Sequence, residues 1–264
     1  MAEADGLYWE DHGPREAPVL LLSSGLGGSA NYWAPNLTAL AQDHRVLLYD
    51  HRGTGRSSRE LPGDVTIEAM ARDVPILLDA AGVERATIIG HAIGGMIGLA
   101  AALATPGRVE RLVVINGWAK LDPHTARCFD TRLALLRDSG VRAFLHAQPL
   151  FLYPSAWISG HHAQLMDEEE AQFAHFPGAE TMQRRIAAAR RFAPGDALKD
   201  IGVPTLFVVA EDDMLVPPHC SGPMRDAIPG AQIARMATGG HACNVTRADH
   251  FTMWLLDWLD GEEG

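Results

Sequence analysis

Six apolar runs without polar alternation constrain this chain more than any other feature. Val19 to Ser23, Arg45 to Asp50, Ala86 to Gly90, Arg111 to Asn116, Pro204 to Ala210 and, more weakly, Ala231 to Met236 read as strands buried on both faces. Helical patterns lie between or after them at Asn36 to Gln42, Thr66 to Ala81, a small-residue stretch running to Ala104, and Asp249 to Asp260. Strands alternating with helices imply an α/β fold, a mostly parallel sheet flanked by helices and joined by right-handed crossovers. The rhythm breaks between Trp118 and Leu198, where no strand is legible. Helices are expected there at Thr125 to Arg137, Val141 to His146, Asp167 to His175 and Glu180 to Phe192, with Pro149, Tyr153, Pro154 and Trp157 in irregular connections. An all-helical insertion between parallel strands is most simply a lid over the strands' C-terminal ends, where open α/β sheets bind ligands. The expected division is a core of residues 1–117 and 199–264 with a helical cap at 118–198.

Composition narrows the partners. The chain has 22 Lys and Arg against 33 Asp and Glu, a formal charge of −11 with its 12 histidines neutral. Nucleic acid and anionic membranes call for clustered basic residues, so neither is expected. Met1 to Pro18 is polar and acidic, unlike a signal peptide. No run approaches the ~20 apolar residues of a membrane helix. Three scattered cysteines, Cys128, Cys220 and Cys243, suit a reducing cytoplasm better than a disulfide framework. A small-molecule substrate is the expected partner; a homodimer is left open.

The chemistry concentrates after the strands. Gly90-His91-Ala92-Ile93-Gly94 sits between a buried strand and a helix, with glycines two before and two after its centre. That is the spacing of a nucleophile elbow, where backbone and helix approach too closely for larger side chains. The central residue is Ala92, which keeps the turn and lacks the hydroxyl. A glycine-rich strand-to-helix turn alone is equally common in phosphate-binding folds. Later strands lead into Glu211-Asp212-Asp213 and into Gly239-Gly240-His241, the chain order of elbow, acid and histidine. A carboxylate there would fix the imidazole tautomer and stabilise its protonated form.

These residues resemble the α/β-hydrolase family over essentially the whole chain. Ser24-Gly25-Leu26-Gly27-Gly28 resembles its oxyanion loop, Asp50-x-Arg52-Gly53-x-Gly55-x-Ser57 its second-strand motif, Ala210-x-x-Asp213-x-x-x-Pro217 its acid motif and Gly240-His241 its histidine motif. More narrowly, Gly25 to Ser29, Asn116-Gly117-Trp118, Gln148 to Pro154 and Gly239 to Thr246 resemble a branch acting on carbamate or aminoacrylate in uracil breakdown, whose members can carry alanine at the elbow. The resemblance implies His241 as base, Asp213 as its orienting acid, and backbone N–H groups of Leu26 and Ile93 as the oxyanion hole. Ser24, Gly25, His91 and Trp118 are the expected substrate contacts. Without a serine, the implied reaction is direct attack by water assisted by His241, with no cofactor and no metal.

Two other readings stay open: a serine esterase or C–C hydrolase whose nucleophile was replaced, and a non-catalytic binding protein. Cys243 and Ser24 are the substitute nucleophiles to weigh, against loop packing as their ordinary role. A small anionic substrate would want a cation from the insertion, and Arg127, Arg132, Arg190 and Arg191 are candidates. No HExxH or similar ligand spacing occurs among the histidines.

Overall fold

In the computed structural model, which describes residues 2–61 and 63–261, eight strands form one sheet. They are β1 (Ala2–Ala4), β2 (Leu7–His12), β3 (Val19–Ser23), β4 (Arg45–Tyr49), β5 (Ala86–His91), β6 (Val109–Ile115), β7 (Thr205–Ala210) and β8 (Gln232–Met236). The order is β1-β2-β4-β3-β5-β6-β7-β8; β1 and β2 are antiparallel and all later neighbours pair in parallel. The helices are α1 (Ala34–Asp43), α2 (Ile67–Ala71), α3 (Asp73–Ala80), α4 (Ile93–Ala104), α5 (Pro123–Ala134), α6 (Gly140–Leu152), α7 (Ser155–Gly160), α8 (His162–Ala174), α9 (Ala179–Arg191), α10 (Ser221–Ala227), α11 (Cys243–Thr246) and α12 (Ala248–Leu259).

The apolar runs are continuous because both faces of the sheet are covered. Leu20, Leu22, Val46, Leu48, Ile89, Val113 and Val208 pack with Leu40 of α1 and Phe251 and Leu255 of α12. Their neighbours Leu21, Leu47, Ile88, Leu112, Val114 and Phe207 face the other way, against Val74, Leu77, Met96 and Ile97 of α3 and α4. Alternate side chains of one strand thus feed two cores.

Three details differ from the sequence expectation. The N-terminal hairpin was not foreseen behind the polar composition of that segment. Asp5 and Gly6 both take positive φ, 50° and 75°, between Ala4 and its cross-strand partner Leu7. Such two-residue Asp-Gly loops match the twist of paired strands. The helix expected over Thr66 to Ala81 breaks at Arg72 into α2 and α3. Pro75 is responsible, since it lacks the N–H that would bond Ala71 and its ring crowds that carbonyl. Finally, two stretches expected to be irregular are helical: Pro149 lies inside α6, and the connection around Trp157 forms α7.

The chain turns outward from β3 to β4, then returns to place β5 on the opposite side of β3. The loops after β3 and β5 therefore leave the sheet side by side at a topological switch point. Ser23 pairs with Gly90 at their ends. Helices α5 to α9 all fall between β6 and β7. Among the described residues no helix is long and apolar enough to cross a membrane.

Candidate active site

Ala92 has φ 50° and ψ −112°. An L-residue avoids this region, and surrounding structure must hold it there. Its N–H donates to the Ile115 carbonyl at 2.8 Å. The flanking glycines are obligatory: a Cβ on Gly94 would lie 2.0 Å from the Ser23 carbonyl oxygen, and one on Gly90 would lie 2.2 Å from the Gly94 backbone. The strained elbow is thus present, with a methyl group at its apex.

The acid and the histidine meet as their chain order suggests. His241 Nδ1 lies 2.8 Å from Asp213 Oδ2, both side chains being fully buried. A carboxylate only accepts, so Nδ1 carries the proton, and in the neutral ring Nε2 has the lone pair. The other carboxylate oxygen of Asp213 accepts from the N–H groups of Leu215 at 2.7 Å and Val216 at 2.9 Å, which fixes its plane.

The histidine loop is pinned from several directions. Asn116 Nδ2 donates to the carbonyls of His241 at 2.8 Å and Gly240 at 3.2 Å, while its Oδ1 accepts from Ala210 N–H at 3.0 Å. Asp212 accepts from Gly240 N–H at 2.8 Å, and Ala242 N–H donates to Leu152 at the end of α6. His91 Nε2 lies 2.8 Å from the His241 carbonyl, so it is the protonated nitrogen and donates. The His91 ring sits between Tyr32, stacked at 4.8 Å, and His241 at 4.7 Å. Burial, and secondarily the neighbouring His241, hold its pKa well below the usual histidine value. His91 is therefore a neutral strut beneath the histidine loop, with Nδ1 buried and unpartnered among the described residues.

The loop after β3 lies against this assembly. A Cβ on Gly25 would meet His91 Nδ1 at 2.9 Å and lie 3.7 Å from that of Ala92. The Gly25 carbonyl accepts from Gly28 N–H at 3.0 Å, which turns the Leu26 N–H, on the other side of that peptide, away from this contact. Ile93 opens α4, where first-turn N–H groups have no helical partner. Ser24 is buried, with no partner for Oγ among the described residues. Trp118 is equally buried against Phe129, its indole N–H unpartnered among the described residues.

The four arginines singled out in the insertion do not reach this loop. Arg190 pairs with Asp130 at 2.6 Å, Arg191 donates to the Val65 carbonyl, Arg127 is exposed, and Arg132 lies buried over the rings of Phe144 and Phe151. Arg185 reaches it instead. Its Nε donates to the Leu26 carbonyl at 3.0 Å and Nη2 to His51 Nδ1 at 2.9 Å. It shares the buried stripe of Met182, Ile186 and Ala189, spaced three and four apart on α9. That spacing is the signal that could have singled it out.

Cys243 is buried, lies 3.6 Å from Asn116 Nδ2 and is pushed up to about 12, chiefly by burial and then by Asp213, so its thiol packs rather than attacks. Asp122, His219 and Cys220 bring potential metal-ligating atoms within 4.8 Å of one another. They border a cavity of about 400 Å³ lined by neither Ala92 nor His241.

Known proteins share this architecture. A family model described as "alpha/beta hydrolase fold" matches residues 18–248. A protein of a Caulobacter species, named "Putative carbamate hydrolase RutD", is 48% identical over 98% of this chain and 97% of its own length. One of the same name from Variovorax paradoxus is 48% identical over 96% of each. Among solved structures, the enol-lactonase from Burkholderia xenovorans LB400 superposes with a TM-score of 0.86 at 28% identity, covering 98% of this chain and 99% of that one.

Proposed function

Because this chain belongs to the α/β-hydrolase family and, within it, to the RutD group, we propose that it hydrolyses a small C–N compound of the carbamate type. The observation that carries this reading is the pairing of an intact Asp213–His241 couple with a strained elbow whose apex is Ala92. Acid, base and oxyanion donors are retained where the covalent nucleophile is not.

In the proposed reaction, His241 Nε2 takes a proton from water as the water oxygen adds to the carbamate carbon. N–H groups of Leu26 and Ile93 stabilise the charge on the substrate oxygen. Asp213 stabilises the imidazolium, which then returns its proton to the nitrogen as the C–N bond breaks. Carbamate and water give ammonia and bicarbonate. Triads stripped of their serine still exceed water by about 10³ to 10⁴ through binding and the oxyanion hole. Such an acceleration suffices for a labile compound and would be negligible for a stable amide. Aminoacrylate, with a carboxylate and an amine on neighbouring atoms, is the related candidate. The uracil-breakdown setting implied by the sequence resemblance belongs to the same proposal.

The test compares ammonia release from carbamate in stopped flow, with and without protein, for wild type and Ala92→Ser. Wild type should exceed the spontaneous rate and show no turnover of an aryl ester. A serine at position 92 should bring aryl-ester turnover and a phosphonate adduct. Wild-type protein that binds carbamate without accelerating its breakdown would support the binding-protein alternative and overturn the hydrolase reading.

A further inference from the structure

Arg185 is fully buried, yet among the described residues no carboxylate lies within ion-pair distance of it. The other buried arginines are compensated differently. Arg45 forms a two-pronged contact with Asp11; Arg132, which like Arg185 has no carboxylate partner and leaves a buried nitrogen, Nε, without an acceptor among the described residues, rests over aromatic rings with Nη2 on Gln148. Around Arg185 the groups are neutral: the Leu26 carbonyl, the more distant Gly25 carbonyl at 3.5 Å, and His51.

His51 cannot balance the charge. Burial, then the arginine itself, hold it well below the ordinary histidine value, so it accepts at Nδ1 as a neutral ring. Its Nε2–H points to Ser23 Oγ at 3.2 Å, which in turn contacts Tyr49 Oη at 2.8 Å, a relay without a formal negative charge. Nη1 of Arg185 is left buried with no acceptor among the described residues. An ion in this state costs several kcal/mol unless something pairs with it. Ser24 Oγ, two residues before Leu26 on the same loop, is also buried without a partner. That loop touches the elbow, since a Cβ on Gly25 would lie 3.7 Å from that of Ala92. A guanidinium fork is suited to carboxylate geometry, and a hydroxyl can donate beside it.

We infer that Arg185 Nη1 and Ser24 Oγ form an anion subsite beside Ala92, so that the substrate is a small carboxylate-bearing compound rather than a neutral ester or amide. This rests on the reading of the Ala92 centre as the reaction site. The subsite reconciles an acidic chain with an anionic substrate, because the positive charge is local and shielded from the −11 outside. It also gives the helices between β6 and β7 a chemical task, as Arg185 is carried by α9.

Acetate and acetamide, alike in shape and differing in charge, test it without turnover. Titrations at fixed ionic strength, followed by backbone amide NMR shifts, should show acetate binding wild type about ten- to a hundredfold more tightly than acetamide. Arg185→Met should abolish the preference, Ser24→Ala should weaken acetate alone, and Arg132→Met should leave both affinities unchanged. Arg185→Lys keeps the charge and should keep a reduced preference for acetate, which covers the case of a methionine variant that fails to fold. Equal wild-type affinities, or a preference that survives Arg185→Met, would overturn the subsite and leave Arg185 as a loop anchor alone. Acetate selectivity without carbamate turnover would instead retain the subsite and remove the reaction.

Discussion

The loops at the edge of the sheet and the helices inserted between β6 and β7 meet at Leu26, His51 and Ala242, yet they tolerate change very differently. At the sheet edge the side chains of His241 and Asp213 are set within closely packed backbone. Gly90 and Gly94 are packed so closely that a methyl group would overlap main-chain atoms. In the insertion, Gly160 has open space where a Cβ would go, and Leu150 and Phe173 lie exposed. It reaches the loop after β3 through a long side chain, Arg185, whose anchoring atoms lie at the guanidinium. A site set within close-packed backbone depends on every nearby residue; a contact delivered by a side chain depends on that side chain and the helix that aims it.

The largest effect that could break this contrast is on folding. Gly94→Ala should destabilise the protein by roughly 4 kcal/mol or more, or prevent its folding, because the new methyl meets the Ser23 carbonyl at 2.0 Å and neither chain can retreat. Gly160→Ala, at the end of α7, should change stability by no more than about 1 kcal/mol, in the stabilising direction. Denaturant unfolding of the two variants checks both. Similar losses in both would erase the distinction between the regions.

A smaller effect sharpens it through pH. His51 and His91 are held neutral in the fold, whereas unfolded histidines titrate near 6.5. Below that pH the unfolded chain takes up protons that the folded one refuses. The associated stability is fully present above 6.5 and is lost as pH falls toward the folded values. Each histidine contributes a slope of up to about 1.4 kcal/mol per pH unit in that window. Unfolding midpoints between pH 7 and 5 should therefore fall more steeply for wild type than for His91→Gln.

The same contrast explains what the amino-acid sequence disclosed. Runs such as Val19 to Ser23 and Arg45 to Tyr49 were readable because burial on both faces removes polar alternation. Ala92 and His241 were readable because each follows a strand within a short motif whose glycines answer a local steric demand, and Asp213 because it follows a strand between them in the chain order of elbow, acid and histidine. Arg185 was not foreseen. Four arginines on α9 look alike in composition, and only the register with Met182 and Ile186 separates the buried one from the solvated ones. The role of Asn116 was hidden for another reason. It pins Gly240 and His241 across 124 and 125 residues, and nothing local to it signals that contact. The N-terminal hairpin was missed although Asp5-Gly6 and the alternation of Leu7 and Trp9 were there to be read.

The central claim is that His241 activates water at an elbow without a nucleophile. Its most direct test is stopped-flow release of ammonia from carbamate by wild type and His241→Ala, each corrected for the spontaneous rate. A base in this position contributes about 10² to 10⁴. The variant should therefore lose at least about a hundredfold of the catalysed rate while retaining the wild-type unfolding midpoint at pH 7. A folded His241→Ala protein that releases ammonia as fast as wild type would contradict the account.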